Sequence, residues 1–326
     1  MRSGARENFH RIMTGGQSQW VPLDITASKP VIDRIEQHFG SRNLAKAFDL
    51  DIENVCSFDD INESAQGDAA KWQKAYSEIG IALPPRSEIG FAGLVFVVPP
   101  ADSVGEAYHL RELFHPLARV QNVKELEHLP WPQLNDPGLH EVVAGRIKDA
   151  HNADRVATAW LECTVFEMAW YLRGMDNLFI DLMEGNDIGG WLLDWFMNRS
   201  IQTGIAYART GVDVIGLGDD VGTQRGMMMS VDFWRQHLKP RLKKVIDAIR
   251  AHQSRDLYIR YHSDGDIRAI IDDLIEIGVD LLNPVQPECM PVDEVDRVKD
   301  RRNAIKHKLS LRHNRALSGE TAKEIT

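Results

Sequence analysis

The run Gly211-Val212-Asp213-Val214-Ile215 recurs as Gly278-Val279-Asp280-Leu281-Leu282. In each copy a glycine, suited to the left-handed position just past a helix, precedes a short apolar stretch that reads as a buried strand. A third stretch of this kind, Leu257 to His262, lies between the two copies. The repeat therefore spans two strand–helix units, and its length per unit is that of a (β/α) barrel of about 250 residues in eight units.

The intervening segments have helical spacing. Ser230 suits the cap of a helix whose apolar residues Phe233, Trp234, Leu238, Leu242, Val245, Ile246 and Ile249 fall on one face, with a kink expected at Pro240. Asp266 suits the cap of the next, where Ile267, Ile270, Ile271, Leu274 and Ile275 run up to Gly278. Residues 165–184 and 191–210 read as two more helices, after a strand at 155–161. Such alternation predicts a parallel sheet covered by helices. In the first half, 20–25 and 93–98 read as strands and 30–39 as a helix, while 40–90 shows no resolvable period. Six candidate strands result, at 20–25, 93–98, 155–161, 212–218, 257–262 and 279–285, where a closed barrel needs eight. The expected fold is thus α/β, a TIM-type (β/α)8 barrel lacking its last one or two βα units. It is expected to form a single domain over 1–326, with 1–296 as its body. Residues 297–326 are foreign to that body, with nine Lys or Arg against three Asp or Glu, and a frameshift would account for the change.

Composition narrows the function. At 43% hydrophobic and 26% charged the chain is that of a globular protein. Its longest apolar run, Gly90 to Val98, stops at Pro99 and Pro100, far short of the roughly 20 residues of a membrane span. The first residues carry charge without an apolar block, so no export signal is expected and a cytoplasmic address is. Three scattered cysteines fit a reducing compartment, and a net charge of −10 argues against a nucleic-acid partner.

Four segments carry candidate chemistry. Strand side chains alternate, so Arg260, His262 and Asp264 share a face opposite Leu257, Ile259 and Tyr261. At the C-terminal end of a barrel strand, His262 and Asp264 suit a metal or an acid–base role, with Arg260 lining the pocket. The competing possibility is that these groups only cap the following helix. Gly216, Gly218 and Gly222 mimic a dinucleotide loop, but the spacing is wrong and Asp219-Asp220 would repel a pyrophosphate. Asp219, Asp220 and Gln224 instead suit a cationic or proton-bearing substrate group, or else form a solvated turn. Glu162 and Tyr171 flank a strand-to-helix junction, where Trp170 reads as core. Finally, Asn283 closes the sixth strand, and Cys289 either reaches the mouth as a metal ligand or is a small apolar core residue.

These segments, with His115 to Pro132, resemble the uroporphyrinogen decarboxylase superfamily over about 110–296. The resemblance implies a (β/α)8 barrel and one of two chemistries. One is cofactor-free decarboxylation of the acetate groups of uroporphyrinogen, in porphyrin biosynthesis. The other is methyl transfer between corrinoid proteins and thiols or other acceptors at a zinc site. The arginines that decarboxylases carry after the first strand are absent from Trp20 to Ser28, which removes the forks that would hold so many carboxylates. Tyr171 and Asp220 fall near the substrate-contacting Tyr and Ser of that branch. In the methyltransferase branch, His262 matches the histidine of a His-x-Cys zinc motif and Asp264 stands at its cysteine position. The resemblance therefore implies a divergent metal-assisted methyltransferase acting with a corrinoid protein. Its catalytic residues would be His262, Asp264 and Asp220, and its zinc ligands His262, Asp264 and Cys289. Glu162, Tyr171, Asp219, Gln224, Arg260 and Asn283 would surround the substrate. Cofactor-free decarboxylation and an incomplete, non-catalytic barrel are the alternatives, and a homodimer is implied by the decarboxylases.

Overall fold

Gly211 ends the helix Asp187–Thr210 with φ 81° and Gly278 follows the helix Ile271–Glu276 with φ 103°, so both repeat glycines occupy the left-handed region their place requires. The computed structural model describes residues 4–27, 29–56, 68–98, 112–133 and 137–295. The basic segment 297–326 lies outside them. In chain order the strands are β1 (Ile52–Cys56), β2 (Ser87–Ile89), β3 (Val95–Val97), β4 (Glu112–Phe114), β5 (Val156–Glu162), β6 (Val214–Gly218), β7 (Gly222–Thr223), β8 (Gly226–Met227), β9 (Tyr258–His262) and β10 (Leu281–Asn283).

A parallel sheet runs β1-β5-β6-β9-β10. Its spatial order follows chain order, the winding of a barrel rather than of a doubly wound sheet, whose order reverses. Among the described residues β1 and β10 stand at the edges of this sheet and no closure is seen. Two expected strands differ. Val95–Val97 is the middle of an antiparallel sheet, β2-β3-β4, because a short apolar run does not reveal the direction of its partners. Trp20–Ile25 joins no ladder, since Pro22 offers no N–H. Instead it runs beside β1: Ile52 N donates to Leu23 O at 3.1 Å, and the Asp51 carboxylate accepts Leu23 N at 2.9 Å and Trp20 Nε1 at 3.1 Å. The first parallel strand is β1, from the stretch without a readable period.

The two faces of the sheet do different work. Ala157, Ala159, Leu161, Ile215, Leu217, Ile259 and Tyr261 point into the main core under the helices. On the other face, the first residue of every parallel strand, Ile52, Val156, Val214, Tyr258 and Leu281, packs with Phe9, Ile12 and Met13. Those three belong to the helix Ala5–Met13, which thereby plugs the N-terminal end of the sheet. Each fully buried side chain of this kind contributes roughly 1.5–3 kcal/mol. Among the described residues the polar side chains of β5, β6 and β9 gather toward the opposite, C-terminal end.

The repeated aspartates are staples. Asp213 accepts Ala157 N at 2.8 Å and Asp280 accepts Ile259 N at 2.8 Å, each bridging to the neighbouring strand. Asp213 also meets Arg6 at 2.8 Å and His151 at 2.9 Å. Burial pushes its pKa up, but His151, Arg6 and the Ala157 amide outweigh it and hold the carboxyl below its ordinary value. The expected helix over 165–184 breaks at Gly174, φ 85°, into Phe166–Arg173 and Met175–Glu184. Ser230 accepts Phe233 N at 3.2 Å as expected of a cap, and the helix it starts divides at Leu238 beside Pro240.

Candidate active site

Above the apolar base, the inner face turns polar in two rows. Trp160, Gly216 and Arg260 stand in register across β5, β6 and β9. Gly216 is obligatory for this row: a Cβ there would lie 2.2 Å from the Trp160 ring. The Arg260 guanidinium stacks on that ring at 4.5 Å, where cation and π face attract. It donates to Asp24 Oδ2 at 3.1 Å and Thr158 Oγ1 at 3.2 Å. Arg260 is thus neutralised within the chain and forms the floor of the site.

The upper row joins Glu162, Gly218, His262 and Asn283. The side chain of Glu162 lies outside the described residues. His262 Nδ1 meets Asn283 Oδ1 at 2.9 Å; the amide oxygen accepts, so a proton is assigned to Nδ1 and Nε2 is left to face the other side of the site. Nε2 faces Asp220 Oδ1 at 3.7 Å and Asp264 Oδ1 at 3.9 Å. One ligand atom from each of the three residues lies within 4.8 Å of the other two. Asp220 is itself oriented, accepting Asp264 N at 2.7 Å. Close backbone approach builds this corner. A Cβ on Gly218 would sit 2.8 Å from His262 Cβ, and one on Gly222 would sit 2.6 Å from Asp264 O. The glycines that mimic a phosphate loop serve packing.

Beneath Asp220 sits Glu167, a residue that sequence reasoning passed over. It lies in the first turn of Phe166–Arg173, buried, with Tyr171 one turn later donating its hydroxyl to Glu167 Oε1 at 2.6 Å. Burial, then the charge of Asp220, pushes Glu167 up to about 7, while the Tyr171 hydroxyl, the Asp220 amide and His262 pull it back. Burial and Glu167 raise Tyr171 above the ordinary phenol value. Glu167 therefore exchanges a proton near neutral pH, where a general acid or base works best. The signal available in the sequence was its i,i+4 spacing to Tyr171 just after a strand.

Three expected site residues face elsewhere. Asp219 is 1% exposed and caps a helix, accepting Val165, Phe166 and Glu167 N–H groups at 2.8–3.2 Å. Burial and Glu167 raise its pKa against those bonds. It holds the helix that carries Glu167. Cys289 is buried in the core, its thiol meets Gln286 O at 3.7 Å, and it is not among the three residues whose ligand atoms converge. Gln224 pairs with Gln286 on the exposed surface at 2.9 and 3.2 Å. Tyr171 and Asn283 are present at the site but orient other side chains.

No protein-family model and no curated protein matches the sequence. Among solved structures, the chain is similar to a methyltransferase from Methanosarcina mazei, at a TM-score of 0.47 and 15% identity, over 86% of this chain and 75% of that one. No helix of the described residues is long and apolar enough to cross a membrane.

Proposed function

We propose that the chain catalyses a metal-assisted methyl transfer, with Asp220, His262 and Asp264 holding a divalent cation and a corrinoid protein as the methyl source. The observation that carries the metal is the orientation of His262. Its Nδ1 is committed to Asn283 while Nε2 turns to two carboxylates, as in metal-ligating imidazoles held by an outer partner. The donor set of one nitrogen and carboxylate oxygens suits zinc and also harder cations. A cation bound there supplies Lewis acidity that keeps an incoming nucleophile deprotonated.

The remaining work falls to side chains of this protein. Glu167 accepts the proton the nucleophile loses, and Tyr171 fixes the carboxylate that receives it. Trp160 and Arg260 close the floor against water. The methyl group and the corrinoid donor are supported by the resemblance of the strand-end segments around Asp220, His262 and Asn283. Zinc titration by calorimetry tests the site: one equivalent is expected on the wild type and none on His262→Ala, and with a thiol supplied as methyl acceptor, methylcobalamin is demethylated only by the metal-loaded protein. Equal uptake by both proteins, or none by either, refutes the metal site.

Glu167 also favours a second reading. An acid near neutrality beside Asp220 fits metal-free protonation of carbon as carbon dioxide leaves, in decarboxylation of a uroporphyrinogen-type substrate. Release of carbon dioxide by chelator-treated protein would select it.

A further inference from the structure

Four arginines are buried in the described residues, and three have a carboxylate. Arg155 pairs with Glu53 at 3.2 Å, Arg173 with Asp181 at 2.8 Å, and Arg260 with Asp24 at 3.1 Å. Arg199 is the exception. It is 4% exposed, its guanidinium lies over the Phe91 ring at 5.0 Å, and among the described residues it has neither a hydrogen bond nor an ion pair. Its nitrogens are not among the sealed side-chain atoms without partners, which are Trp72 Nε1, Trp234 Nε1 and Arg260 Nε. The guanidinium therefore keeps a path to solvent. Burial lowers the pKa of Arg199, but a guanidinium remains charged in proteins. A buried charge without a counter-charge is costly.

Its place in the fold is at the C-terminal end of the sheet. Ser200, the next residue of the same helix, donates to Thr164 O at 2.8 Å, just past β5. Cys56, the last residue of β1, and Cys163, which follows β5, lie within electrostatic range of Arg199. Thr164 leads directly into the helix Phe166–Arg173 that carries Glu167 and Tyr171, which puts Arg199 at the same end of the sheet as the candidate site, on the β1–β5 side.

We propose that Arg199 binds a small oxyanion, the carboxylate or phosphate group of the substrate, at the rim of β1 and β5. The planar fork of an arginine matches either group in two hydrogen bonds. The proposal uses the reading of the candidate site only to say which end of the sheet does chemistry, and its test needs no metal.

Thermal melts of the chelator-treated full chain are run with sodium acetate and, separately, inorganic phosphate, at an ionic strength held constant with chloride. At ten times its Kd, the favoured anion raises the wild-type Tm saturably by roughly 2 °C or more. Arg199→Met is expected to lose that response and to melt no lower than anion-free wild type, since Met fills the volume without the charge. Arg199→Lys keeps the response at roughly tenfold higher anion concentration. Response to acetate alone identifies a carboxylate, and response to phosphate alone a phosphate. The assignment is overturned if wild type shows no saturable response or if Arg199→Met keeps it. It is also overturned if Arg199→Met melts several degrees lower or does not fold, because the chain itself then supplies the counter-charge. Zinc uptake by His262 succeeds or fails independently of all these outcomes.

Discussion

Replacing Glu167 with Gln separates burial of a carboxyl group from burial of its charge. In the folded protein Glu167 rises from 4.5 to about 7, mainly through burial and the nearby Asp220. At roughly 1.4 kcal/mol for each tenfold change in proton affinity, ionising it in place costs about 3 kcal/mol. The sign follows from proton counting. Between pH 4.5 and 7 the folded protein holds a proton that the unfolded chain has lost, so stability falls as pH rises through that window and is level above it. Gln keeps the shape and can accept the Tyr171 hydroxyl, but has no charge to bury. Urea unfolding of chelator-treated protein at pH 5 and pH 8 reads the difference. Wild type is expected to lose up to ~3 kcal/mol more than Glu167→Gln between the two pH values, and the variant to be the more stable protein at pH 8. Parallel losses in both proteins, or a variant weaker at both pH values, would refute a Glu167 that is protonated by its surroundings.

Three further outcomes are expected. Asn283→Ala frees His262 Nδ1 and should weaken zinc binding about 10- to 100-fold in calorimetry while leaving the fold intact. Gly216→Ala drives a Cβ to 2.2 Å from the Trp160 ring, and denaturant melts should show a loss of about 1–3 kcal/mol or more. Asp213→Ala removes the common partner of Arg6, His151 and the Ala157 amide. A loss of about 2–4 kcal/mol is expected at pH 7. Because the folded pKa of Asp213 is depressed, its contribution is complete above its unfolded pKa of 3.8 and disappears as pH falls further, so wild type and variant should converge in acid melts.

Much of the second half was legible in the residues alone. Glycines past helix ends and β-branched runs report local backbone preferences, so the positions of β6, β9 and β10 and the alternation that groups Arg260 with His262 could be read directly. Local rules were silent where a partner decides. Nothing in Gly90 to Val98 says that its neighbours are antiparallel, and nothing in Trp20 to Ile25 except Pro22 says that the adjacent segment, β1, enters the sheet in its place. The pair Asp219-Asp220 shows the same division. The two carboxylates are adjacent in sequence, yet one turns inward to three amides at the start of a helix begun 53 residues earlier and the other turns outward to His262.

The order of the residues therefore determined which segments alternate, where they start and stop, and which strand ends bear ionisable groups, since these depend on dihedral preference and hydrophobic period over a few residues. Only the tertiary structure decided which of those groups meet. It brought Glu167 under Asp220, left Cys289 in the core and, among the described residues, left Arg199 buried without a carboxylate. Proton affinity and ligand geometry depend on neighbours through space and on exclusion of water, and packing alone sets both.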